Sequence, residues 1–516
     1  MEWITNINNS VNSFVWNNGV YLLLAVGLIM TIATGLFQVL HAGHWFSETI
    51  GKISKRDVSG HVKGKSISQF QALCTALAAT IGVGNIAGVA AAIVGGGPGA
   101  VFWMWVAAFL GMMTNYSENV LGIYFRRKNA DGEWSGGAMY YLEDGLGKMK
   151  FGKFFGKPLA ILFSIFAILA SFGIGAMGQI NKIVVNAVSA FDIPALSSNI
   201  LYGNVEDGSA ISMYHLVLGI VLVVIAALII LGGLKRIANF AEKIVPFMVI
   251  LFVIGSTYII FANATQISAA FEAIFKYAFT APAVWGGATG IAIKAVVTQG
   301  CKRGVFSNEA GLGSSVMVHS NSNVKEPVRQ GLWGIFEVFA DTMVVCTMTA
   351  LVILTSGVIN IENGVLAEGV SGDATLVAKA FSGIFGIWGE RFIAIAILLF
   401  AFTTVLGWDH YGTKAWEYLF GTKTTKLYKV IHLVTILMGA LLTSSLAWDI
   451  SDTFNGLMML PNLIGVLACS GLVIKITNNY RARKLAENKE DIEPMLSAFP
   501  DIQAEQAAAL KAEENK

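Results

Sequence analysis

A glycine-rich turn interrupts an apolar stretch in the first quarter of the chain. Residues 79–88 have the sequence ATIGVGNIAG within an apolar run of about 67–94, and their helix-breaking and polar residues are Gly82, Gly84, Asn85 and Gly88. Glycine costs about 1 kcal/mol relative to alanine in a helix interior. A broken helix frees N–H groups that can bind a carboxylate and carbonyls that can bind a cation. The turn therefore predicts a binding site.

A second apolar stretch, 286–318, contains the glycine-rich sequences WGGATG and TQGCKRGVFSNEAGLGS. Close helix packing through small residues would explain one such stretch. Two of them, at matching positions in two halves of a chain, are typical of secondary transporters with inverted repeats. We therefore expect two broken helices that together make a site.

The composition indicates a polytopic membrane protein. Of 516 residues, 55% are hydrophobic and 13% are charged, about half the charged fraction of a typical soluble domain. The net charge is +2, and the basic residues lie in loops instead of one patch, so nucleic-acid binding is not expected. The four cysteines lie in apolar segments without a C-x-x-C pair, which is typical of buried hydrophobic positions.

Eleven segments are long and apolar enough to span a bilayer core of about 30 Å. The first, 19–40, follows an external segment 1–18, and the other ten divide into a repeat at 68–262, a repeat at 286–476 and a charged tail at 477–516. The full set is 19–40, 68–92, 98–125, 159–190, 215–233, 241–262, 286–318, 328–356, 390–419, 428–447 and 454–476. The predicted fold is thus all-α, with a five-plus-five inverted repeat and one extra N-terminal helix.

Loop charge orients these segments. The loops on one side carry twenty lysines and arginines, and those on the other side carry only Lys276 and Lys379. The basic side is expected to face the cytoplasm. The N-terminus is then outside and the C-terminus inside. For the tail beyond about residue 478 we expect a short cytoplasmic helix or a disordered end.

Hydroxyl and aromatic groups occur together in the ninth segment. Thr403 and Thr404 are adjacent, and Trp408 lies four residues after Thr404 on the same helical face. The threonines could instead bond to carbonyls of the preceding turn. The tryptophan could instead belong to the interfacial belt.

Other polar residues inside predicted spans are further candidates. Gln179 follows three glycines, and either a site role or interhelical hydrogen bonding would explain it. Glu337 and Asp341 are spaced i,i+4, so a proton or cation relay is conceivable. A structural pairing with nearby basic residues is equally open (Lys294, Lys302 and Arg303), and neither carboxylate is assigned to the site.

Five separated motifs resemble the alanine (or glycine):cation symporter family, the sodium:alanine symporters. They are TIGVGNIAG, GEWSGGAMYYLEDGLG (132–147), GVFSNEAGLGS (304–314), PVRQGL (327–332) and GWDHYG (407–412). The resemblance extends over about 19–476. It implies the amino acid–polyamine–organocation superfamily, the leucine-transporter-type fold and sodium-driven uptake of alanine and glycine.

The resemblance also implies site residues. The substrate carboxylate would meet backbone N–H groups around Gly82 and Gly84, beside Thr80 and Asn85. The amino group would be held near the second broken helix, and Trp408 would limit side-chain size; the remaining implied substrate residues are Gln179, Gly304, Ser307 and Thr404. Sodium would use the carbonyls of Ala78 and Ile81 and the hydroxyls of Thr403 and Thr404, since hard cations prefer oxygen ligands.

Two residues depart from the family pattern. Asp409 and His410 follow the Gly-Trp of GWDHYG, where family members usually carry other residues. A carboxylate and an imidazole near the pocket would favour a larger polar amino acid such as glutamine, and His410 could make transport sensitive to pH. Sodium/glutamine symport and proton coupling are the alternatives within the carrier class.

Other functional classes are less compatible with the residues. The sequence has neither H-E-x-x-H nor G-x-x-x-x-G-K-[ST], so an enzyme or an ATP-driven pump is not indicated. A channel would be expected to use pore segments from several subunits. We expect a multi-pass protein of the cell membrane that works as a monomer in the lipid bilayer, with sodium as coupling ion and no other cofactor.

Overall fold

The computed structural model of this chain is built almost entirely from helices. It describes residues 2–55, 58, 60, 65–204, 210–280, 293–362, 364–368, 370, 372–442 and 445–514. The predicted glycine-rich sequence WGGATG lies outside these described residues. Two short antiparallel hairpins pair Arg127–Lys128 with Trp134–Ser135 and Ile200–Tyr202 with Ile211–Ser212.

Sixteen longer helices are numbered in chain order among the described residues. They are α1 Glu2–Ala33, α2 Gln69–Thr80, α3 Ala87–Gly96, α4 Gly99–Tyr124, α5 Gly156–Ala190, α6 Met213–Ile230, α7 Leu234–Ala262, α8 Ile267–Tyr277, α9 Ile293–Asn308, α10 Pro327–Thr355, α11 Ala374–Phe385, α12 Ile387–Phe420, α13 Thr425–Leu441, α14 Ser445–Ala468, α15 Ser470–Lys484 and α16 Pro500–Glu514.

Single helical turns fill many of the connections. They are Phe37–Leu40, Ala42–Glu48, Ile50–Lys52, Val83–Asn85, Ala138–Tyr140, Tyr141–Gly145, Leu146–Lys148, Pro194–Ser197, Ala264–Gln266, Val316–His319 and Thr422–Thr424. Wider π-helical turns interrupt α5 at Gly173–Met177 and α10 at Phe339–Cys346. Such turns re-aim the side chains that follow them and are frequent at functional sites.

The predicted break in the first glycine-rich stretch is present. Helix α2 starts with a capping box between Ser68 and Gln71 and ends at Thr80. The turn Val83–Asn85 separates it from α3, and Gly82 adopts an extended conformation there. The glycines therefore end one helix and allow the chain to restart as another.

A second break follows α9. The helix ends at Asn308, and the short helix Val316–His319 resumes beyond it. Between them Glu309, Gly311 and Gly313 have φ angles of 56°, 91° and 73°. This left-handed region favours glycine, so the sequence GLG is what makes the reversal possible.

The helices pack into two contacting groups. One group contains α2, α3, α4, α9 and α10, and the other contains α5, α6, α12, α13 and α14. Helix α7 packs on α2 and α12, and α1 packs on α4 and α14. Helices α2 and α12 also contact each other, so the first break lies where the two groups meet.

Helices occupy all eleven predicted spans in the described part of the chain. By length and apolarity, six of them can each cross a membrane alone: Thr5–Ala33, Gly156–Ala190, Met213–Ile230, Leu234–Ala262, Pro327–Thr355 and Ile387–Phe420. A pair bent by 57°, Asp452–Ala468 with Ser470–Lys484, qualifies when taken as one span. The count of eleven spans therefore stays a prediction.

Helix ends can be compared with two predictions near the ends of the chain. Helix α1 ends at Ala33, before the end of the predicted span 19–40, because Gly35 and Leu36 have φ angles of 65° and 49° and turn the chain there. The tail is folded: Ala498 N donates to Tyr124 O over 2.9 Å, and the Leu496 side chain is 1% exposed. Helix α16 follows this contact, so the described part of the tail has the expected short helix and not the alternative of a disordered end.

Candidate functional site

The unwound segment between α2 and α3 presents backbone donors to polar side chains. Gly82 N donates to Asn85 Oδ1 over 2.9 Å, and Val83 N donates to Gln179 Oε1 over 3.2 Å. Both acceptors are buried. These N–H groups are therefore held at the break by side-chain oxygens, which a ligand carboxylate could replace.

Three residues expected in the substrate site meet at this segment. A Cβ added to Gly82 would lie 2.5 Å from Thr404 Oγ1 and 3.2 Å from Gln179 Oε1. Thr404 comes from α12 and Gln179 from α5, just after its π-helical turn. The close approach explains why position 82 has no side chain.

The two helix breaks also contact each other. A Cβ on Gly84 would lie 3.2 Å from Phe306 Cδ1 and 3.4 Å from Ser307 Cα. Gly304 faces elsewhere: its Cβ would lie 3.4 Å from Met104 Cα of α4. Gly84 and Ser307 are thus brought together, whereas the side-chain position of Gly304 is used for helix packing.

Asp341 joins the two breaks, although the sequence analysis did not assign it to the site. Its Oδ1 accepts from Asn85 Nδ2 over 2.7 Å, and its Oδ2 accepts from Ser307 Oγ over 2.7 Å and from Thr342 Oγ1 over 2.8 Å. The side chain is fully buried. The signal in the sequence was an acidic residue inside a predicted span.

The prediction that Glu337 and Asp341 of α10 could pair with basic residues of α9 is wrong, because no such ion pair occurs among the described residues. Lys302 pairs with Asp452 at 2.5 Å instead. Glu337 contacts His319 at 2.9 Å and Asn115 at 3.3 Å. The carboxylates of α10 are therefore held by uncharged partners and by a histidine.

Trp408 lies between α5 and the second break. Its Nε1 donates to Glu309 Oε1 over 2.9 Å, and Glu309 Oε2 accepts from Ser314 Oγ over 2.5 Å. A Cβ on Gly175 would lie 2.5 Å from Trp408 Cβ. Trp408 is 1% exposed, so it is a packed side chain between helices and not part of an interfacial belt. Glu309 was missed because its partner lies 99 residues away.

Three of the residues expected to bind sodium, Ala78, Ile81 and Thr404, lie where α12 meets the end of α2. A Cβ on Gly407 would lie 2.6 Å from Ala79 Cβ, which brings α12 against the last turn of α2. Carbonyls in a last turn, here those of Ala78 and beyond, have no helical partner. Ile81 N donates to Leu77 O over 2.8 Å and closes this turn.

The two threonine hydroxyls face different neighbours. Thr404 Oγ1 donates to Phe400 O over 3.0 Å and lies beside position 82. Thr403 Oγ1 donates to Phe400 O over 2.9 Å and lies 3.7 Å from Met248 Sδ of α7. Among the described residues, no group of three or more His, Cys, Asp or Glu is arranged to hold a metal ion. A cation here would therefore depend on carbonyl and hydroxyl oxygens.

Asp409 and His410 point toward other parts of the molecule. His410 Nε2 lies 3.4 Å from Asn321 Nδ2, beyond the second break. Asp409 is 1% exposed and interacts electrostatically with Lys429 and Tyr428 of α13. These contacts lie on faces of α12 that differ from the face of Thr404 and Trp408.

The fold and this pair of contacting helix breaks are those of a membrane transporter. A crystal structure of MhsT in complex with L-phenylalanine matches with a TM-score of 0.52 at 14% identity, covering 87% of this chain and 97% of that one. The family model for the sodium:alanine symporter family matches residues 1–494. The chain belongs to this family, which is a family of multi-pass membrane transporters and not of enzymes.

Similar curated proteins span nearly the whole chain. The sodium/alanine symporter AgcS of Methanococcus maripaludis is 40% identical over 492 residues, covering 95% of this chain and 100% of AgcS. An uncharacterized transporter of Haemophilus influenzae is 39% identical and covers 93% and 97%. The probable sodium/glutamine symporter GlnT of Bacillus subtilis is 34% identical and covers 94% and 92%.

Proposed function

We propose that this protein is a sodium-coupled symporter that takes alanine and glycine into the cell by alternating access. The observation that carries this proposal is the convergence of Thr404, Gln179 and the unwound Gly82 segment at one point. Membership of the sodium:alanine symporter family and 40% identity to AgcS support the ion and the substrate.

The proposed substrate site uses the breaks of both discontinuous helices. The carboxylate binds N–H groups of the first break around Gly82 and Gly84. At Gly82 and Val83 it takes the place of side-chain oxygens. Oxygens from Gln179 and Ser307 hold the amino group. The remaining pocket residues are Thr80, Asn85, Gly304, Thr404 and Trp408.

The same geometry favours small substrates. A Cβ added at Gly82 would lie 2.5 Å from its nearest neighbouring atom, and a Cβ added at Gly84 would lie 3.2 Å from its nearest. Trp408, held by Glu309 and one helical turn after Thr404, is the proposed limit on side-chain size. Alanine and glycine fit this arrangement better than a substrate with a long side chain.

The proposed sodium site lies beside the substrate. Its ligands are the carbonyls of Ala78 and Ile81 and the hydroxyls of Thr403 and Thr404. Thr404 lies where α12 meets the end of α2, whereas the Thr403 hydroxyl would turn from Met248 of α7 toward the ion. Sodium would fix the unwound segment and so complete the pocket. The two sites would then be coupled reciprocally, by about 1–3 kcal/mol in typical cases.

The architecture proposed for this cycle has eleven membrane spans in one working monomer. Two five-helix repeats, 68–262 and 286–476, follow an extra helix, and 477–516 forms a cytoplasmic tail. The excess of twenty basic loop residues over two supports an outside N-terminus in the cell membrane. The group containing the broken helices rocks against the other group.

Glutamine is the alternative substrate and a proton the alternative coupling ion. The similarity to GlnT keeps glutamine in consideration. The orientation of Asp409 toward α13 and of His410 toward Asn321, however, removes the feature that most favoured a larger polar substrate. Alanine with sodium is therefore the principal proposal.

The test is uptake into proteoliposomes. Labelled L-alanine is supplied with an inward sodium gradient, an inward proton gradient or no gradient, and glycine, D-alanine and L-glutamine compete. We expect saturable, sodium-driven uptake that glycine inhibits more strongly than glutamine. Uptake driven only by protons would contradict the sodium site, and stronger competition by glutamine would contradict the substrate.

A pair of glycine variants locates the pocket. Gly84→Leu should abolish uptake because position 84 lies against Phe306 and Ser307. Gly471→Leu should retain it because position 471 is exposed on α15 and a Cβ there meets nothing within 4 Å. Both proteins are first checked for insertion and monodispersity. Normal uptake by Gly84→Leu would refute the pocket assignment.

A further inference from the structure

Three glutamates lie buried around the second helix break. Glu118 of α4 and Glu337 of α10 are fully buried, and Glu309 is 3% exposed. The charge of Glu337 acts on both of the other glutamates. Like charges that are buried away from water and act on one another cannot all remain ionised without compensation.

Two of these carboxylates have oxygens without a partner among the described residues. They are Glu118 Oε2 and Glu337 Oε1, and the neighbouring Asn119 Oδ1 and Tyr411 OH are also unpartnered. Asn119 Nδ2 donates to Asn115 Oδ1 over 2.6 Å, so only the amide oxygen of Asn119 is without a hydrogen-bond partner. Tyr411 OH can donate to one of these three acceptor oxygens, and a proton on a carboxylate oxygen would supply a second donor.

His319 does not supply the missing positive charge. Ser322 Oγ donates to Gln330 Oε1 over 2.9 Å, which turns the Gln330 amide nitrogen toward His319 Nδ1 at 2.5 Å. An amide nitrogen only donates, so Nδ1 accepts and the ring proton lies on Nε2. His319 is then neutral, and it donates to Glu337 Oε2 over 2.9 Å.

In the described part of the chain, the titratable neighbours of the three buried glutamates are other acidic residues, tyrosines and a histidine. Glu337 pairs only with His319, while Lys302 pairs with Asp452 and Lys414 with Glu417. Arg126 donates its hydrogen bonds to backbone carbonyls of the segment after the second break. The titratable groups that face the pair from every element packed on it are Glu309, His319, Asp341, Tyr141 and Tyr411.

We propose that Glu118 and Glu337 form a proton-binding site, separate from the substrate and sodium sites, that holds at least one proton in this conformation. The unpartnered acceptor oxygens outnumber the available donors, which favours a proton as the bound cation. The proton is acquired from water and returned to it, with no other chemistry.

Hydrogen bonds connect the proposed proton site to both groups of helices. Asn462 of α14 donates from Nδ2 to Glu118 Oε1 over 2.5 Å and to Gly311 O over 2.8 Å. Tyr141 donates in turn to Asn462 Oδ1. One carboxylate thus links the two helix groups, so its protonation state biases how they separate. This consequence rests on the proposed function, whereas the proton site itself does not.

Infrared spectroscopy of the full-length protein in lipid nanodiscs tests the site directly. A protonated carboxylic acid has a carbonyl band, separate from carboxylate bands, that shifts in D₂O. We expect this band in the wild type at neutral pH and its partial loss in Glu118→Gln or Glu337→Gln. Glu118→Asp should retain it, and Glu143→Gln, which changes a cytoplasmic-loop residue paired with Arg127, should leave it unchanged.

Each infrared result either supports or overturns the site. A wild type without the band overturns the proposal even where a glutamine variant fails to fold. A band of equal intensity in both variants also overturns it, and a band that disappears when sodium is added assigns the compensating charge to a metal cation instead. The expected band changes without any alanine uptake would leave the proton site standing and remove the proposed function.

A transport measurement tests the coupling. Alanine uptake by the wild type, at a fixed sodium gradient, should change at least threefold as internal pH is varied, and Glu118→Gln should reduce this change to less than half. Glu143→Gln should keep the wild-type profile. An unaltered pH profile in Glu118→Gln would contradict the link between the proton and the helix movement.

Discussion

Asn85 Nδ2 donates a 2.7 Å hydrogen bond to Asp341 Oδ1, 256 residues further along the chain. The other oxygen of the same carboxylate accepts from Ser307. One buried side chain of α10 therefore fixes the spacing between the two unwound segments. Any ligand that lies between these segments depends on that spacing.

Asp341→Asn should reduce alanine uptake about tenfold or more. The amide cannot accept all three hydrogen bonds, and a hydrogen bond to a charged group contributes about 1.5–3 kcal/mol. The measurement is initial uptake rate against sodium and alanine concentration. Asp501→Asn, an exposed change in α16, is the control, and wild-type kinetics in Asp341→Asn would contradict the role of this contact.

Gly82→Ala should abolish most uptake while the protein still folds. The new Cβ would approach Thr404 Oγ1 to 2.5 Å and force the unwound segment to shift. Gly88→Ala provides the matched control, because its Cβ meets nothing within 4 Å. Equal uptake by the two alanine variants would show that the segment near position 82 does not form the pocket.

Thr404→Ala should raise the sodium concentration for half-maximal uptake about tenfold, equivalent to about 1.4 kcal/mol. The variant removes an oxygen beside the end of α2, and Thr404→Ser should restore the wild-type value. Thr435→Ala is a suitable control, since that buried hydroxyl also bonds within its own helix, to His432 O. Thr403→Ala combined with Thr404→Ala should lose sodium activation. Unchanged sodium activation in the double variant would rule out both hydroxyls as ligands.

Trp408→Phe should weaken alanine uptake about two- to tenfold. It removes the indole N–H donor to Glu309, a hydrogen bond worth about 0.5–1.5 kcal/mol. Trp408→Ala should in addition let larger neutral amino acids compete with alanine. Competition assays with L-leucine and L-phenylalanine measure this change, and an unaltered competition profile would remove Trp408 as the size-limiting residue.

Leu496→Asp should release the C-terminal tail. The leucine is 1% exposed, and burying a carboxylate there is costly. Limited proteolysis should then cleave the variant in the segment after Lys484 faster than the wild type. Ile492→Asp is the control because that side chain is already 38% exposed. Equal cleavage rates would show that the tail is held by other contacts.

The first helix break could be predicted from the sequence because several glycines close together inside an apolar span destabilise a continuous helix. Gly82 and Gly84 could be proposed for the same reason. Gln179 could be proposed as a polar residue inside a predicted span, and the structure brings its side chain to Val83 N at the first break. Asp341 could not be assigned. Its partners come from two distant helices, and the π-helical turn around it changes which neighbours it faces.

The sequence also does not show which neighbour each side chain faces. Gly304 lies in a recognisable motif, but only the packing of α9 on α4 reveals that its side-chain position faces Met104. Similarly, Asp409 and His410 follow Trp408 directly, yet helix geometry turns them toward α13 and Asn321. Adjacent positions in a helix differ by about 100°, so neighbours in sequence need not share a site.

The contact between the tail and the end of α4 has a consequence for biosynthesis. Ser497 and Tyr124 are 373 residues apart, so α4 is synthesised long before the tail residues that cover its end. The covered face therefore stays open while the intervening residues are being made. Contacts this far apart in sequence form slowly, because a long loop must close first. The tail is thus expected to dock late in folding, after the intervening helices have packed.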